Sequence, residues 1–478
     1  MPGLAAPGGA SSAPDGADAW LTKSYPARLD EFASFLRIPS VSALPEHVAA
    51  CDAAASWLAD RFSSAGFEHA QLMTTSSHPV VYADWLHAPG APTVLVYSHY
   101  DVRPPDPLDA WSSAPFEPRV EGSTIRGRGT ADAKAQVMIH LWGAEALLRT
   151  YGRLPVNLRV IIEGDEESGS GGLEAWLQAH RETLAADLAV VSDSSFFEGN
   201  RPSVTVGLRG ICYFQVDAYG AQTDLHSGAN GGAIPNPVNA LCELIASLKR
   251  EDGSVAVEGF YEDVIPLGEQ DRAAMAALPF DEEAYRVSVG ARALAGEAGY
   301  STIERLTCRP TLDVSGIWGG FQGAGQKTII PAEAHAKLSC RLVPAQDPHR
   351  IFELLAAHIA REAPAGVRMD VGYLSGGIPT LQPIDHPATR AAARALSAVF
   401  GVEPLFARKG SSVPAAAALR SVLGLPVVLL GFTPPDNRAH GPNEWMDLDN
   451  LEKGVRTVTR YWRELAQLRP DEVRQVAG

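Results

Sequence analysis

Short apolar runs alternate with stretches of helical periodicity over the first two hundred residues and again near the C-terminus. The run TVLVYS at 93–98 is short, apolar and rich in β-branched residues, as expected for a strand buried on both faces. The pattern predicts helices at 29–36, 49–65, 135–148, 173–180 and 448–465, and strands at 93–98, 156–162, 188–191 and 425–430. Strand–helix alternation of this kind predicts an α/β layer with a mainly parallel sheet.

The middle of the chain has a different pattern. Strand-like segments lie at 203–219, 311–343 and 367–373, and helical segments at 236–249 and 348–362. The second strand-like segment is long enough for two or three strands and is interrupted by glycines. The order is therefore βαββαβ, which is that of a small ferredoxin-like α+β unit. Residues 251–307 are polar and helix-prone, and they fit neither pattern.

These two patterns predict two domains, one inserted into the other. A discontinuous α/β domain would comprise residues 20–206 and 384–478, and residues 207–383 would form the inserted unit. The length of 478 residues agrees with this division, because single hydrophobic cores stop growing well below that size. Residues 1–19 are rich in Ala, Gly, Pro and Ser, and they lack a basic start and an apolar core. They are predicted to form a disordered tail rather than a signal peptide.

Composition and charge narrow the possible partners. The chain is 46% hydrophobic and 20% charged, and no apolar run approaches the ~20 residues of a membrane span, so we expect a cytoplasmic protein. The net charge of −16 argues against nucleic acid or an anionic membrane as a partner. The five cysteines are scattered and include no CxxC pair, which argues against a disulfide framework and a thiolate zinc site.

Acidic residues and histidines follow several of the predicted strands. The segments are SHYDV at 98–102, GRGTADAK at 127–134, EGDEESGS at 163–170, VVSDSS at 190–195 and NRAHGPNE at 437–444. In open α/β sheets, ligands bind outside the carboxyl ends of the strands, where loops bring together side chains that are distant in sequence. The placement of these segments therefore predicts one shared site.

The residue types in these segments point to metal chemistry. Imidazole and carboxylate without thiolate suit zinc, manganese or cobalt. The segments offer as ligands His99, Asp132, Glu167, Asp193 and His440, and they leave Asp101 and Glu166 for other roles. Two nearby metal ions need a carboxylate that bridges them, and an activated water needs a base. The adjacent pair Glu166 and Glu167 can supply one base and one ligand.

Each of these residues also fits an ordinary structural role when it is taken singly. A lone histidine after a strand is more often a loop residue than a ligand, and Asp193 could cap a helix. Glu166 could belong to a solvated acidic turn, and Asp101 to a polar loop. The metal hypothesis rests on five such segments occurring together.

The segments HYDV, GRGTADAKA, EGDEESGS and SDSS, in this order, resemble the metal-binding blocks of the co-catalytic zinc peptidases and deacylases. That family includes carnosinase-type dipeptidases, carboxypeptidase G, acetylornithine deacetylase and succinyl-diaminopimelate desuccinylase. The resemblance extends over about residues 20–468. It is greatest to the carnosinase-like branch, because TDLHSG at 223–228, LSCRLVP at 338–344 and RKGSSVP at 408–414 resemble that branch's lid segments.

The resemblance implies a centre of two divalent ions, zinc in the first place, with manganese or cobalt as alternatives. Asp132 would bridge the two ions. His99 and Asp193 would complete one metal site, and Glu167 and His440 the other.

The resemblance also implies the catalytic and substrate contacts. Glu166 would be the general base, and Asp101 would orient the His99 ring. His226, in the inserted lid domain, would reach the active site of the other subunit of a homodimer and stabilise the oxyanion. Substrate contacts are implied for Thr328, Arg341, Gly410 and Ser411. For Arg341, a structural salt bridge within the lid is the competing interpretation.

The function that follows is metal-dependent hydrolysis of the amide bond of a dipeptide or similar small peptide. An N-acyl-amino-acid deacylase with the same site is the alternative among enzymes. A degenerate, non-catalytic relative is the alternative outside them, and the complete set of acids and histidines argues against it.

Overall fold

The computed structural model describes residues 15–475, and its first element is a helix, α1, at Gly16–Leu36. Asp15 caps this helix by accepting a hydrogen bond from the Ala17 N–H, and it also pairs with Arg463 and Tyr151. The tail predicted at 1–19 is therefore too long at its C-terminal end. The tail's residues 1–14 lie outside the described residues.

The elements follow in chain order. Up to residue 202 they are α1, α2 (Val48–Ala65), β1 (Glu68–Met73), β2 (Val80–Trp85), β3 (Thr93–His99), β4 (Arg119–Glu121), β5 (Thr124–Arg126), α3 (Lys134–Tyr151), β6 (Asn157–Glu163), α4 (Leu173–Ala179) and β7 (Leu188–Val191). Those of residues 203–384 are β8 (Ser203–Leu208), β9 (Gly210–Tyr219), β10 (Leu225–His226), α5 (Ser227–Asn230), α6 (Pro237–Ser247), α7 (Glu269–Ala276), α8 (Glu282–Ser288), α9 (Thr302–Thr307), β11 (Thr311–Gly319), β12 (Ile329–Ile330), β13 (Glu333–Leu342), α10 (Pro348–Glu362), β14 (Arg368–Gly377) and β15 (Thr380–Leu381). The last are α11 (Pro387–Phe400), β16 (Leu405–Lys409), α12 (Pro414–Leu423), β17 (Val427–Leu429), β18 (Trp445–Asp447), α13 (Leu448–Leu465) and α14 (Pro470–Val473).

The chain divides into two units. The first comprises residues 15–203, 385–404 and 422–475, and the second comprises 204–384 and 405–421. Residues 405–421, which the sequence patterns assign to the discontinuous domain, thus pack with the second unit, where β16 pairs with β8. The assignment of the units as a catalytic domain and a lid stays a prediction.

In the first unit, six strands lie side by side in the order β1-β2-β6-β3-β7-β17. The four strands from β6 to β17 are parallel, and only β1 and β2 run antiparallel to their neighbours. This sheet confirms the predicted α/β class with a mainly parallel sheet. The helix α3 is buried along nearly its whole length and contacts α1 and α13.

In the second unit, four antiparallel strands lie in the order β11-β13-β9-β14 and pack against α6 and α10. Their order along the chain, β9-α6-β11-β13-α10-β14, is the predicted βαββαβ. Alternate residues of β9 and β13 are buried, as expected for strands with one face against helices. Their core includes Phe214, Leu338 and Leu355.

Residues 251–307 form the short helices α7, α8 and α9 of the second unit. The guanidinium of Arg309 stacks on the rings of Tyr261 and Tyr300 and pairs with Glu297 at 2.6 Å. These contacts involve planar and charged groups rather than an apolar stripe, so hydrophobic periodicity could not reveal them. No helix within residues 15–475 is long and apolar enough to cross a membrane.

Candidate metal centre

The carboxyl ends of β3, β6 and β7 meet at one edge of the parallel sheet. His99 is the last residue of β3 and lies opposite Glu163, the last residue of β6. Glu166 and Glu167 lie in a short 3-10 turn directly after β6, and Asp193 lies two residues after β7. The architecture thus places side chains from distant segments at one edge.

Two further loops of the same unit complete the cluster. Asp132 lies in the loop before α3, and the Asp132–Ala133 peptide is cis. His440 lies in the loop between β17 and β18 with a φ of +64°, in the left-handed region that is unusual for a residue other than glycine. Asn443 braces this loop, because its Oδ1 accepts hydrogen bonds from the backbone N–H and Oγ of Ser112.

Asp132 lies between the two histidines. Its Oδ1 is 3.2 Å from Nε2 of His99, and its Oδ2 is 3.0 Å from Nε2 of His440. The potential ligand atoms of His99, Glu166 and Asp193 all lie within 4.8 Å of one another, and so do those of Asp132, Glu167 and His440. One carboxylate oxygen therefore faces each histidine, which is the arrangement that a bridging ligand needs.

Asp101 contacts both His99 and the turn that carries Glu166 and Glu167. Its side chain is fully buried, and Nδ1 of His99 lies 3.1 Å from its backbone oxygen and 3.3 Å from its Oδ1. Its Oδ2 accepts hydrogen bonds from Ser42 Oγ at 2.6 Å and from the Glu167 N–H at 3.0 Å. Both ring nitrogens of His99 thus face acceptors, and the contacts with Asp101 hold the ring with Nε2 directed at Asp132.

The carboxyl groups of the cluster lie close together and are largely buried, which shifts their pKa values. Burial and the nearby carboxylate of Asp193 raise the pKa of Glu166, and burial with Asp132 nearby raises the pKa of Asp193. Hydrogen bonds to Asp132 and Glu167 raise the pKa of His440 to about 10. Glu166 and Asp193 are therefore not favoured to ionise together in the absence of a cation.

These observations agree with binding of two divalent cations. The donors are imidazole nitrogens and carboxylate oxygens without thiolate, a set that suits zinc and also manganese or cobalt. They form two triads, and the Asp132 carboxylate of one triad also faces His99 of the other, so cations held there would neutralise the clustered carboxylates. The residues present therefore fit a two-metal centre.

The residues predicted to contact the substrate or its oxyanion lie in the second unit and form two groups. The first is at the short ladder of β10 and β12, where His226 pairs with Ile329 and the Ser227 N–H donates to the Thr328 oxygen at 3.1 Å. The side chains of both His226 and Thr328 lie at exposed positions. His226 and Thr328 are therefore neighbours, although about a hundred residues separate them in sequence.

The second group surrounds Arg341. Its Nη1 donates to Ser412 Oγ at 3.0 Å, and Ser412 Oγ donates to the Arg209 oxygen at 2.5 Å. Within residues 15–475, no carboxylate forms an ion pair with the Arg341 guanidinium. The structure therefore does not contain the salt bridge that was the competing interpretation.

Gly410 and Ser411 lie beside this arginine cluster. The Nε of Arg209 donates to the Gly410 oxygen at 3.1 Å, and a Cβ on Gly410 would lie 2.5 Å from the Leu306 oxygen. Glycine is therefore required for this backbone to approach so closely. Ser411 is exposed. Sequence reasoning did not identify Arg209 or Ser412, although Ser412 stands within the RKGSSVP segment.

Residues 95–464 match the sequence profile of peptidase family M20/M25/M40. The chain belongs to this family. It is 31% identical to a Cys-Gly metallodipeptidase of Schizosaccharomyces pombe, over 82% of this chain and 84% of that protein. It is 32% identical to the human Beta-Ala-His dipeptidase, over 82% of this chain and 78% of that protein.

Solved structures of the family support the same assignment. A metallo-carboxypeptidase of Sulfolobus solfataricus superimposes with a TM-score of 0.82 at 31% identity, covering 92% of this M20 peptidase and 99% of that chain. Human carnosine dipeptidase 1 gives 0.79 at 28% identity, covering 95% and 98%. The predicted family, its carnosinase-like branch and a metal-dependent peptidase are thereby confirmed.

Proposed function

We propose that this M20 peptidase hydrolyses dipeptides at a two-metal centre, with zinc as the native ion and manganese or cobalt as substitutes. The observation that carries the proposal is the position of Asp132, whose two oxygens face different histidines while Glu166 lies in the same cluster. His99 and Asp193 would hold one ion, and Glu167 and His440 the other. The metallodipeptidase names of the curated relatives support the substrate class.

Bound divalent ions would polarise the scissile carbonyl and acidify the attacking water. Glu166 accepts a proton from that water and delivers it to the leaving amine. Burial and Asp193 raise the pKa of Glu166 in the metal-free chain, and two bound cations would lower it again, which would leave this carboxylate free to accept the proton. Asp101 keeps the His99 ring oriented and, through its hydrogen bond from the Glu167 N–H, fixes the turn that carries the base.

The second unit would bind and orient the substrate. Arg341 has no carboxylate partner in the described part of the chain, and Ser412 fixes one of its nitrogens. Its guanidinium therefore pairs with the C-terminal carboxylate of a dipeptide. Thr328, Gly410 and Ser411 contact the substrate backbone.

Assembly and location are part of the same proposal. The enzyme works as a homodimer joined through the second unit, which acts as a lid, and His226 enters the partner's active site to stabilise the oxyanion. A cytoplasmic location is supported by the five cysteines, which are all free.

The test is a substrate panel on metal-depleted enzyme that is reloaded with zinc, manganese or cobalt. Free dipeptides should be cleaved, the same dipeptides with amidated C-termini should be poor substrates, and chelation should abolish turnover. Cleavage of N-acyl amino acids in the absence of dipeptide cleavage would instead establish a deacylase. No hydrolysis with two ions bound per chain would indicate a non-catalytic relative.

A further inference from the structure

One buried carboxylate near the centre has no role in the proposed chemistry. Glu444 is fully buried, in the segment that also carries His440. Its Oε2 accepts hydrogen bonds from Arg128 Nη1 at 2.7 Å and from the Gly129 N–H at 3.0 Å. Its Oε1 accepts from the N–H groups of Ala131 at 2.8 Å and Asp132 at 3.0 Å.

All four donors belong to the loop that ends at Asp132. The Gly127 N–H also donates to the backbone oxygen of Glu444 at 3.0 Å. Arg128 is anchored in turn by its contact with the Trp111 ring and by the Pro104 oxygen at 3.3 Å. The loop of Asp132 thus depends on a side chain more than three hundred residues away in sequence.

The same contacts connect two parts of the centre. Glu444 follows His440 by four residues, so a carboxylate that holds the Asp132 backbone also fixes the distance between the two loops. The two oxygens of the Glu444 carboxylate accept four N–H hydrogen bonds from the 127–132 loop, and together these bonds restrain the conformation of the loop. Asp132 is therefore placed by Glu444 before any ion binds.

We propose that Glu444 is a positioning residue that holds the Asp132 carboxylate between His99 and His440. The inference rests on the proposed two-metal function. Groups that orient metal ligands typically change metal affinity 10–100-fold when they are lost. Glu444→Gln keeps the size of the side chain, but its NH2 group must face one of the two donor pairs.

Three variants separate the positioning role from general stability. Glu444→Gln removes two of the four acceptor contacts, whereas Arg128→Lys keeps a cation beside Glu444 and leaves the three backbone contacts. The matched control is Glu452→Gln, because Glu452 forms a partly buried ion pair with Arg28 at 2.6 Å between α1 and α13 and no ion pair with the ligand loops. Glu444→Asp, which keeps the charge but shortens the side chain, replaces Glu444→Gln if that variant does not fold.

Two measurements are made on the folded, metal-free proteins. Zinc affinity is obtained by competition with a chelator, and amide hydrogen exchange is followed at residues 129–132. Glu444→Gln should lose ~10–100-fold in zinc affinity. It should also lose exchange protection either at Gly129 or at Ala131 and Asp132, depending on which donors its NH2 group faces. Arg128→Lys should stay within a few-fold of the parent in affinity, and Glu452→Gln should match the parent in both measurements.

Parent-like zinc affinity and parent-like exchange protection in Glu444→Gln would overturn the inference. An equal loss of affinity in Glu452→Gln would also overturn it, because the effect would then be one of global stability. A parent protein that binds fewer than two ions would contradict the proposed function instead. The exchange of the 127–132 loop in the metal-free proteins would still decide the role of Glu444.

Discussion

Acid should destabilise the first unit through His140, which lies in the buried helix α3. Its Nε2 is 2.7 Å from Ser192 Oγ, and that hydroxyl donates to the Leu430 oxygen at 2.5 Å. Because the hydroxyl proton is used on Leu430, Nε2 must carry the proton of the His140–Ser192 bond. Nδ1 is then unprotonated and has no hydrogen-bond partner among the described residues. Protonation there would bury an unpaired charge, and burial lowers the pKa of His140 from 6.5 to about 3.

The size of the effect follows from this shift. The unfolded chain binds a proton at His140 near pH 6.5, whereas the folded chain does so only near pH 3. The unfolded chain thus takes up this proton at a higher pH than the folded chain does. Stability is therefore unaffected by His140 above pH 6.5, and the free energy of unfolding decreases as the pH falls below that value. At ~1.4 kcal/mol per pH unit, the loss is ~2 kcal/mol at about pH 5 and approaches ~5 kcal/mol near pH 3.

The assay is urea unfolding of metal-free protein between about pH 8 and pH 5. The variant His140→Gln can still donate to Ser192 but cannot become charged. Relative to the parent, it should gain ~2 kcal/mol of unfolding free energy on going from pH 8 to pH 5. The control Val137→Ala, at another buried position of α3, should change stability by the same amount at every pH. Parallel pH curves for the parent and His140→Gln would refute the reasoning.

Three further predictions concern the active site. Glu166→Gln should keep both ions and lose ~10²–10⁴-fold in kcat, because the ligands remain but the proton acceptor is gone. Arg341→Met should lower kcat/KM for free dipeptides ~10–100-fold and leave amidated dipeptides nearly unaffected, because only a free carboxylate pairs with the guanidinium. Mixing His226→Ala with Glu166→Gln under subunit exchange should restore activity toward ~25% of the parent, since about half of the dimers are mixed and each has one intact site.

Each of these has an outcome that contradicts it. Near-normal turnover by metal-loaded Glu166→Gln would remove Glu166 from the role of base. An equal loss for free and amidated dipeptides in Arg341→Met would mean that Arg341 does not recognise the carboxylate. No recovery after proven exchange would mean that His226 does not act across the dimer.

Two kinds of feature could be predicted from the sequence: the bounds of elements with a clear apolar pattern, and the grouping of residues that follow parallel strands. The helix at Leu448–Leu465 and the strand at Leu188–Val191 have the predicted bounds, since apolar periodicity defines them. The clustering of acids and histidines at strand ends was predictable because parallel strands end at the same edge. The ligand roles themselves stay a prediction.

Other features depend on contacts that no local pattern records. The strand β1 is largely exposed and β2 is wholly buried, so neither alternates as a half-buried strand does. The contacts of Glu444 with the Asp132 loop, and of Arg209 with Ser412, join residues hundreds of positions apart. Such pairs become visible only once the chain is folded.

The six side chains of the metal centre differ greatly in their access to solvent. The side chain of His440 is 53% exposed, whereas that of His99 exposes nothing. A competing chelator would therefore reach an ion held beside His440 before one held beside His99. The number of ions per chain should therefore be measured after reloading with excess metal, and fewer than two ions under that condition would contradict the proposed centre.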